Sequence, residues 1–248
     1  LQVEVSGDDH TALNFKNTYE AKGNVTFAGT KTLEGRELTE ADVFTFEIAE
    51  TGTDKTWTAE SDATGKIGYP TIEYTLDDVG DHTYTVKETS TDGNGITVDD
   101  KTYTVKVTVA DNGDGTLKIT ASDNATALDF VNTYGATVSV TFEGTKTLEG
   151  RTLTEADVFA FEVKEGDEVV ATGTSDATGK ITYSKINYTL ADVGEHTYVI
   201  TESSTDGKGI TVDTTKYTVT VKVTDDGKGS LQVEVSGDDH TALNFKNT

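Results

Sequence analysis

LQVEVSGDDHTALNFKNT opens the chain at 1–18 and returns without a change at 231–248. A diverged third copy, LKITASDNATALDFVNT, occupies 117–133. The F-x-N-T closing each copy places its asparagine at Asn17, Asn132 and Asn247, and 132 − 17 and 247 − 132 both equal 115. The rest of the chain keeps the same period. TFAGTKTLEGRELTEADVFTFE (26–47) matches TFEGTKTLEGRTLTEADVFAFE (141–162), SDATGKIGY (61–69) matches SDATGKITY (175–183), and GITVDDKTYTV (95–105) matches GITVDTTKYTV (209–219). A fixed period of this kind marks a tandem array. It predicts two complete repeats, 19–133 and 134–248, preceded at 1–18 by the last strand or strands of a further repeat. The array is expected to continue in both directions. The junctions Thr18-Tyr19-Glu20 and Thr133-Tyr134-Gly135 contain no Gly/Ser tract, so a semi-rigid, rod-like array is expected.

Composition narrows the class. The 248 residues include no Cys, no Met and one Pro, and 20 basic against 44 acidic residues give a net charge of −24. That charge disfavours binding to nucleic acid or to an anionic membrane surface. No apolar run approaches membrane-spanning length, so insertion is not expected. Without cysteine there are no disulfides and no thiolate metal sites.

Alternation of apolar and polar residues predicts strands throughout. Over 103–109, Tyr103, Val105, Val107 and Val109 share one face, and Tyr217, Val219, Val221 and Val223 repeat the pattern. Asp/Gly/Asn clusters at 92–95, 111–115, 206–209 and 225–229 predict hairpin turns. Only Leu-Thr-Glu-Ala-Asp at 38–42 and 153–157 suggests a helical turn, with the threonine as its cap. The expected fold is all-β: tandem immunoglobulin-like β-sandwiches.

Three polar residues per repeat fall in register with apolar ones. Val25, Phe27, Gly29, Lys31 and Leu33 share a face, as do Val140, Phe142, Gly144, Lys146 and Leu148. His82, Tyr84, Val86 and Glu88 share another, matched by His196, Tyr198, Ile200 and Glu202. Leu128, Phe130 and Asn132 form a third, matched by Leu243, Phe245 and Asn247. Each repeat thus directs one Lys, one Glu and one Asn inward. A strand-end position reaching water accounts for any one of them, and a buried Lys–Glu ion pair is a second plain reading. Their joint recurrence permits a specific chemistry. An amine kept from water has its pKa lowered and a carboxyl its pKa raised. The neutral amine can then attack the Asn carboxamide, while the protonated Glu donates a hydrogen bond to the carbonyl oxygen and shuttles the proton.

Three signatures in order carry a family resemblance: K-T-L-E-G-R (31–36, 146–151), H-T-Y-x-(V/I)-x-E (82–88, 196–202) and F-x-N-T (15–18, 130–133, 245–248). They resemble the Gram-positive pilin isopeptide-linkage repeat of pilus shafts and surface-adhesin stalks, related to the collagen-adhesin B-type sandwich. The resemblance spans essentially the whole chain. It implies a Lys31–Asn132 bond assisted by Glu88 and a Lys146–Asn247 bond assisted by Glu202. Asn17, with no upstream lysine, would be an orphan half of a third link. The resemblance further implies an extracellular, cell-surface or cell-wall-attached stalk that is not an enzyme, since each bond forms once. Its partners would be neighbouring repeats and, through strand 1–18, other copies. A neighbouring family makes Thr–Gln ester links, but 19–133 contains no Gln.

Rival sites are weaker. DNGDGT (111–116) faintly resembles a calcium loop, yet its counterpart DDGKGS (225–230) carries Lys228, so a turn is the better reading. His82 and His196 lie on core faces, and His10 and His240 in turns. No metal or cofactor site is expected. The alternative function is a ligand-binding adhesive module in the variable 47–60 region around Trp57, which has no counterpart in the second repeat.

Overall fold

The computed structural model describes residues 2–4, 7, 15–237 and 243–248. Among these the protein is all-β. The first repeat contributes β1 (Lys22–Thr26), β2 (Lys31–Glu34), β3 (Thr45–Glu50), β4 (Thr56–Glu60), β5 (Thr71–Thr75), β6 (Gly80–Glu88), β7 (Ile96–Thr97), β8 (Thr102–Asp111), β9 (Leu117–Ala121) and β10 (Phe130–Tyr134). The second contributes β11 (Val138–Val140), β12 (Glu143–Leu148), β13 (Ala160–Glu165), β14 (Glu168–Ser175), β15 (Lys180–Tyr183), β16 (Ile186–Tyr188), β17 (Gly194–Glu202), β18 (Lys216–Asp225), β19 (Leu231–Gly237) and β20 (Leu243–Asn247). Two compact units divide the chain. One holds Leu1–Thr32, Leu38–Ser90 and Asp99–Val131; the other holds Leu33–Glu37, Thr91–Val98 and Asn132–Thr248.

In the first unit an antiparallel sheet runs in the order β4-β3-β6-β8-β9, and β1 pairs with β5. Val105, Val107 and Val109 are buried from β8, and the ring of Phe46 on β3 meets that of Phe130 at 5.0 Å. In the second unit the equivalent strands join one hydrogen-bonded sheet, β19-β18-β17-β13-β14-β15-β12-β20, with β11 paired to β16. Phe161 and Phe245 there meet at 4.9 Å. Such aromatic pairs add to the apolar burial that holds each core together.

The pairing of β12 with β20 positions the site. It is parallel, with Lys146 opposite Phe245 and Leu148 opposite Asn247. A glycine on the core face permits this approach: a Cβ at Gly144 would lie 2.8 Å from the Leu243 carbonyl oxygen. At Gly29 the corresponding atom would lie 2.0 Å from the Leu128 oxygen, and Leu128 and Phe130 donate to Ala28 and Thr30 at 3.1 and 2.9 Å. Only a residue without a side chain fits so close to a carbonyl.

The turns follow their chemistry. Gly93 and Ile96 exchange two backbone hydrogen bonds around Asn94 and Gly95, both with positive φ, and Gly207, Lys208, Gly209 and Ile210 repeat the arrangement. Such φ values mark tight primed turns. Residues 111–116 and 225–230 close the β8–β9 and β18–β19 hairpins. At 38–42 and 153–157 a single turn forms. Thr39 donates from N and Oγ1 to Asp42 Oδ2 at 2.8 and 2.7 Å, and Thr154 does the same to Asp157. The 3₁₀ turns lie elsewhere, at Leu76–Asp78, Asp123–Thr126 and Leu190–Asp192.

Identical sequence behaves differently at the two ends. Leu243–Asn247 is β20, and Phe245 is 1% exposed; Phe15 in the same motif is 89% exposed, and residues 15–20 carry no strand. Extended segments need a pairing partner, and β20 has β12. Most of the strand expected within 1–18 lies outside the described residues.

A histidine clasp recurs beside the core. His82 Nε2 is 2.7 Å from the Asp78 carbonyl oxygen, and its Nδ1 is 2.5 Å from Glu50 Oε1. His196 makes the same contacts to the Asp192 carbonyl and Glu165, at 2.7 and 2.8 Å. A carbonyl only accepts, so each Nε2 carries a proton. Burial disfavours the imidazolium, but the bonds to Glu50 and the Asp78 carbonyl outweigh it and raise the His82 pKa. His196 is raised by the same balance. A folded pKa above the unfolded value of ~6.5 contributes stability that is complete below that value and lost as pH rises through the folded pKa. The thermal midpoint is therefore expected to fall across that window, and a double His82→Gln, His196→Gln variant to flatten the fall. A parent curve flat through the window contradicts this account.

Candidate functional site

In the second unit Lys146, Glu202 and Asn247 converge in the core. Lys146 projects from the middle of β12, Glu202 ends β17 opposite Phe161 of β13, and Asn247 ends β20. The Lys146 and Glu202 side chains are fully buried, with Nζ 2.6 Å from Glu202 Oε2. Nζ also donates to Asn247 Oδ1 in a very short contact. Asn247 Nδ2 donates to Glu202 Oε1 at 2.9 Å, which closes a three-membered ring of side chains. The Phe159 ring lies 5.0 Å from Nζ and forms part of the dry wall. Burial lowers the Lys146 pKa; the hydrogen bond and charge of Glu202 oppose the shift without cancelling it.

Orientation of the Asn247 carboxamide follows from a fourth group. The backbone N–H of Asp213 lies 2.7 Å from Asn247 Oδ1 and can only donate, so an oxygen must face it. The carboxylate of Glu202 therefore faces Nζ and Nδ2, the two nitrogens that exchange places in a transamidation. The sequence predicts a hydrogen bond from the glutamate to the carbonyl oxygen. The structure differs because Asp213 occupies that side.

The first unit holds the matching Lys–Glu pair. Lys31 Nζ is 2.9 Å from Glu88 Oε2, both side chains fully buried, with the Phe44 ring 4.9 Å from Nζ. Burial lowers the Lys31 pKa against the opposing influence of Glu88. Asn132 is fully buried on β10, within the F-x-N-T motif that carries Asn247 on β20. Asn132 belongs to the second compact unit, whereas Lys31 and Glu88 belong to the first. Asn17 is exposed.

Other sequence candidates have local duties. Asp111 Oδ1 accepts from Gly113 N at 2.9 Å and Asp114 Oδ1 from Thr116 N at 3.0 Å, so these acids cap the β8–β9 turn. Residues 47–60 include most of β3 and all of β4, and Trp57 packs edge-on to Tyr84 at 5.9 Å between centroids. His10 and His240 lie outside the described residues. Sequence reasoning missed Asp213 and the histidine partners Glu50 and Glu165. Glu50 had a signal, since it follows Phe46 and Ile48 on a core face and is itself buried. Asp213 lies in a segment without periodicity.

The FctA family, described as the Spy0128-like isopeptide containing domain, matches residues 27–135 and again 142–248. Similar solved structures include the major pilin T-13 of Streptococcus pyogenes, 20% identical, covering 94% of this chain and 98% of its own, with a TM-score of 0.34. A second is another major pilin of Streptococcus pyogenes, at 14% identity, 94% and 99% coverage and a TM-score of 0.30. A third is a C-terminal fragment of the pilus adhesin SpaC of Lactobacillus rhamnosus GG, at 12%, 90% and 96%, with a TM-score of 0.29. No curated protein matches the chain. With both halves matched, the chain belongs to the family of Spy0128-like isopeptide-containing domains.

Proposed function

We propose that the chain is a structural stalk or fibre segment of a bacterial cell-surface adhesin or pilus-like protein, outside the cell, in which each repeat locks itself. The links are amides, Lys31–Asn132 and Lys146–Asn247. The observation that carries the proposal is the convergence of Lys146, Glu202 and Asn247 within hydrogen-bond reach in a dry core. Family membership supports it.

The reaction follows from the geometry. Taken out of water beside a carboxylate, the amine passes a proton to Glu202 and attacks as a neutral nucleophile. Nζ bonds to Asn247 Cγ as the carbonyl π electrons move to Oδ1. Glu202 delivers the proton it took from the ammonium to Nδ2 through Oε1, and then takes the second proton from Nζ through Oε2. The Cγ–Nδ2 bond then breaks and ammonia leaves. Folding supplies the proximity and orientation that a dissolved amine and carboxamide lack. Each site reacts once, so the protein is a self-modifying structural element and not an enzyme.

A Lys146–Asn247 bond would join residues 101 apart. Treated as a crosslink acting on the unfolded chain, it adds ~4–5 kcal/mol. Its mechanical consequence is larger. The two residues lie on paired parallel strands, so tension applied at those strands would pass through the amide and bypass everything between. An amide also withstands reductants that cleave disulfides.

The intact mass of the chain is expected to fall short of its sequence mass by two ammonia molecules; the full sequence mass contradicts the proposal. Glu202→Ala is expected to leave the second repeat unlinked, so that the variant falls short of its own sequence mass by one ammonia and not two. That repeat should then melt at a lower temperature, having lost the ~4–5 kcal/mol of its crosslink. Ammonia loss at Lys146 as complete as in the parent would remove Glu202 from the mechanism.

A further inference from the structure

Beyond the Lys–Glu–Asn triad, the site has a fourth member that comes from a loop. We propose that the backbone N–H of Asp213 is the oxyanion donor for cross-linking in the second repeat. The Asp213 carboxylate is the clamp that holds this N–H in place. This inference rests on the self-locking reading above.

The geometry meets the requirement on both counts. When Nζ adds to Cγ, negative charge develops on Oδ1, and the group that touches Oδ1 from outside the triad is Asp213 N–H, at 2.7 Å. A donor aimed at that oxygen before reaction begins is the arrangement that stabilises a tetrahedral intermediate. Glu202 cannot serve there, because its two oxygens are engaged with Nζ and Nδ2. The labour is thus divided: Glu202 moves the proton, and Asp213 N–H holds the charge on oxygen until the Cγ–Nδ2 bond breaks and the C=O re-forms.

The clamp makes the donor rigid. Asp213 Oδ2 accepts from Lys246 N at 2.6 Å, one residue before Asn247. Its Oδ1 accepts from Thr215 N and Thr215 Oγ1 at 2.9 and 2.6 Å, which fixes the turn that presents the donor. Two residues upstream, Thr211 and Thr248 exchange backbone hydrogen bonds at 2.6 and 3.0 Å. The loop is therefore fastened to the end of β20 on both sides of Asn247, at Lys246 and at Thr248. The first repeat shows the same carboxylate clamp. Asp99 Oδ2 accepts from Val131 N, one residue before Asn132, and Oδ1 from Lys101 N, both at 2.9 Å. Thr97 pairs with Thr133 as Thr211 does with Thr248. Burial opposes ionisation, but the hydrogen bonds each carboxylate accepts, with a smaller contribution from nearby lysine charge, hold each aspartate below its ordinary pKa, so the clamp stays ionised.

The test follows link formation in parent, Asp213→Ala and Asp213→Asn chains. Each chain is made in a cell-free reaction, held in denaturant, diluted into buffers from acid to alkaline, and quenched at intervals for peptide mass analysis. A donor displaced by about 1 Å can cost about 10²-fold in rate. Asp213→Ala is expected to slow the Lys146–Asn247 link by about that factor, with Asp213→Asn intermediate because it keeps an acceptor for Lys246 N. The pH midpoint of the reaction should stay where the Lys146–Glu202 pair sets it. A midpoint displaced toward that of an ordinary amine would mean that the site had merely opened to water, and would overturn the assignment. So would an unchanged rate in Asp213→Ala or, should that variant not fold, in Asp213→Asn. If the parent itself forms no link, the self-locking reading falls and this inference with it. If the parent links and the variants keep pace, only the assignment of Asp213 falls.

Discussion

Everything distinctive about this protein depends on burying a lysine amine beside a carboxylate and a carboxamide with no water between them. Breaking a buried ion pair by removing one partner costs ~3–5 kcal/mol, and apolar replacements of similar volume are often no less stable than the intact pair. An ion pair alone is therefore a poor reason to place Lys146 and Glu202 where both side chains are fully buried. The proposed cross-link supplies a better one. Dehydration that destabilises the ammonium favours the nucleophilic amine, and the proposed amide would be neutral and need no solvation of charge. The core residues Phe159, Phe161 and Phe245 thus have a second use, since the packing that stabilises the sandwich also keeps the site dry.

The same constraint shapes the surrounding backbone. Nζ reaches Oδ1 because β12 and β20 run parallel and in contact, and that contact needs glycine at position 144. The Asp213 loop is tied to the end of β20 by side-chain and backbone bonds on both sides of Asn247. A site meant only for structure would not need so many groups to converge on one carboxamide.

Much of this was legible in the amino-acid sequence, because strand alternation reports which side faces the core. Lys146 stands in register with Phe142 and Gly144, Glu202 with Tyr198 and Ile200, and Asn247 with Leu243 and Phe245, so the triad could be named from periodicity. The histidine clasp was half visible: His82 and His196 fell on core faces, but Glu50 and Glu165 come from a neighbouring strand whose pairing alternation does not reveal. Asp213 was not visible at all, since its acting group is a backbone N–H on an aperiodic segment. Nor does propensity alone decide strand formation. Leu-Asn-Phe-Lys-Asn is a strand at 243–247 beside β12, while Phe15, in the same pentapeptide at 13–17, stands exposed.

The most direct test is peptide mapping of the purified parent chain by tandem mass spectrometry after proteolysis. The account predicts a branched peptide in which Lys146 is joined through its side chain to Asn247, one ammonia lighter than its two parts. Recovery of Lys146 and Asn247 only in separate linear peptides, with free amine and intact carboxamide, would contradict it.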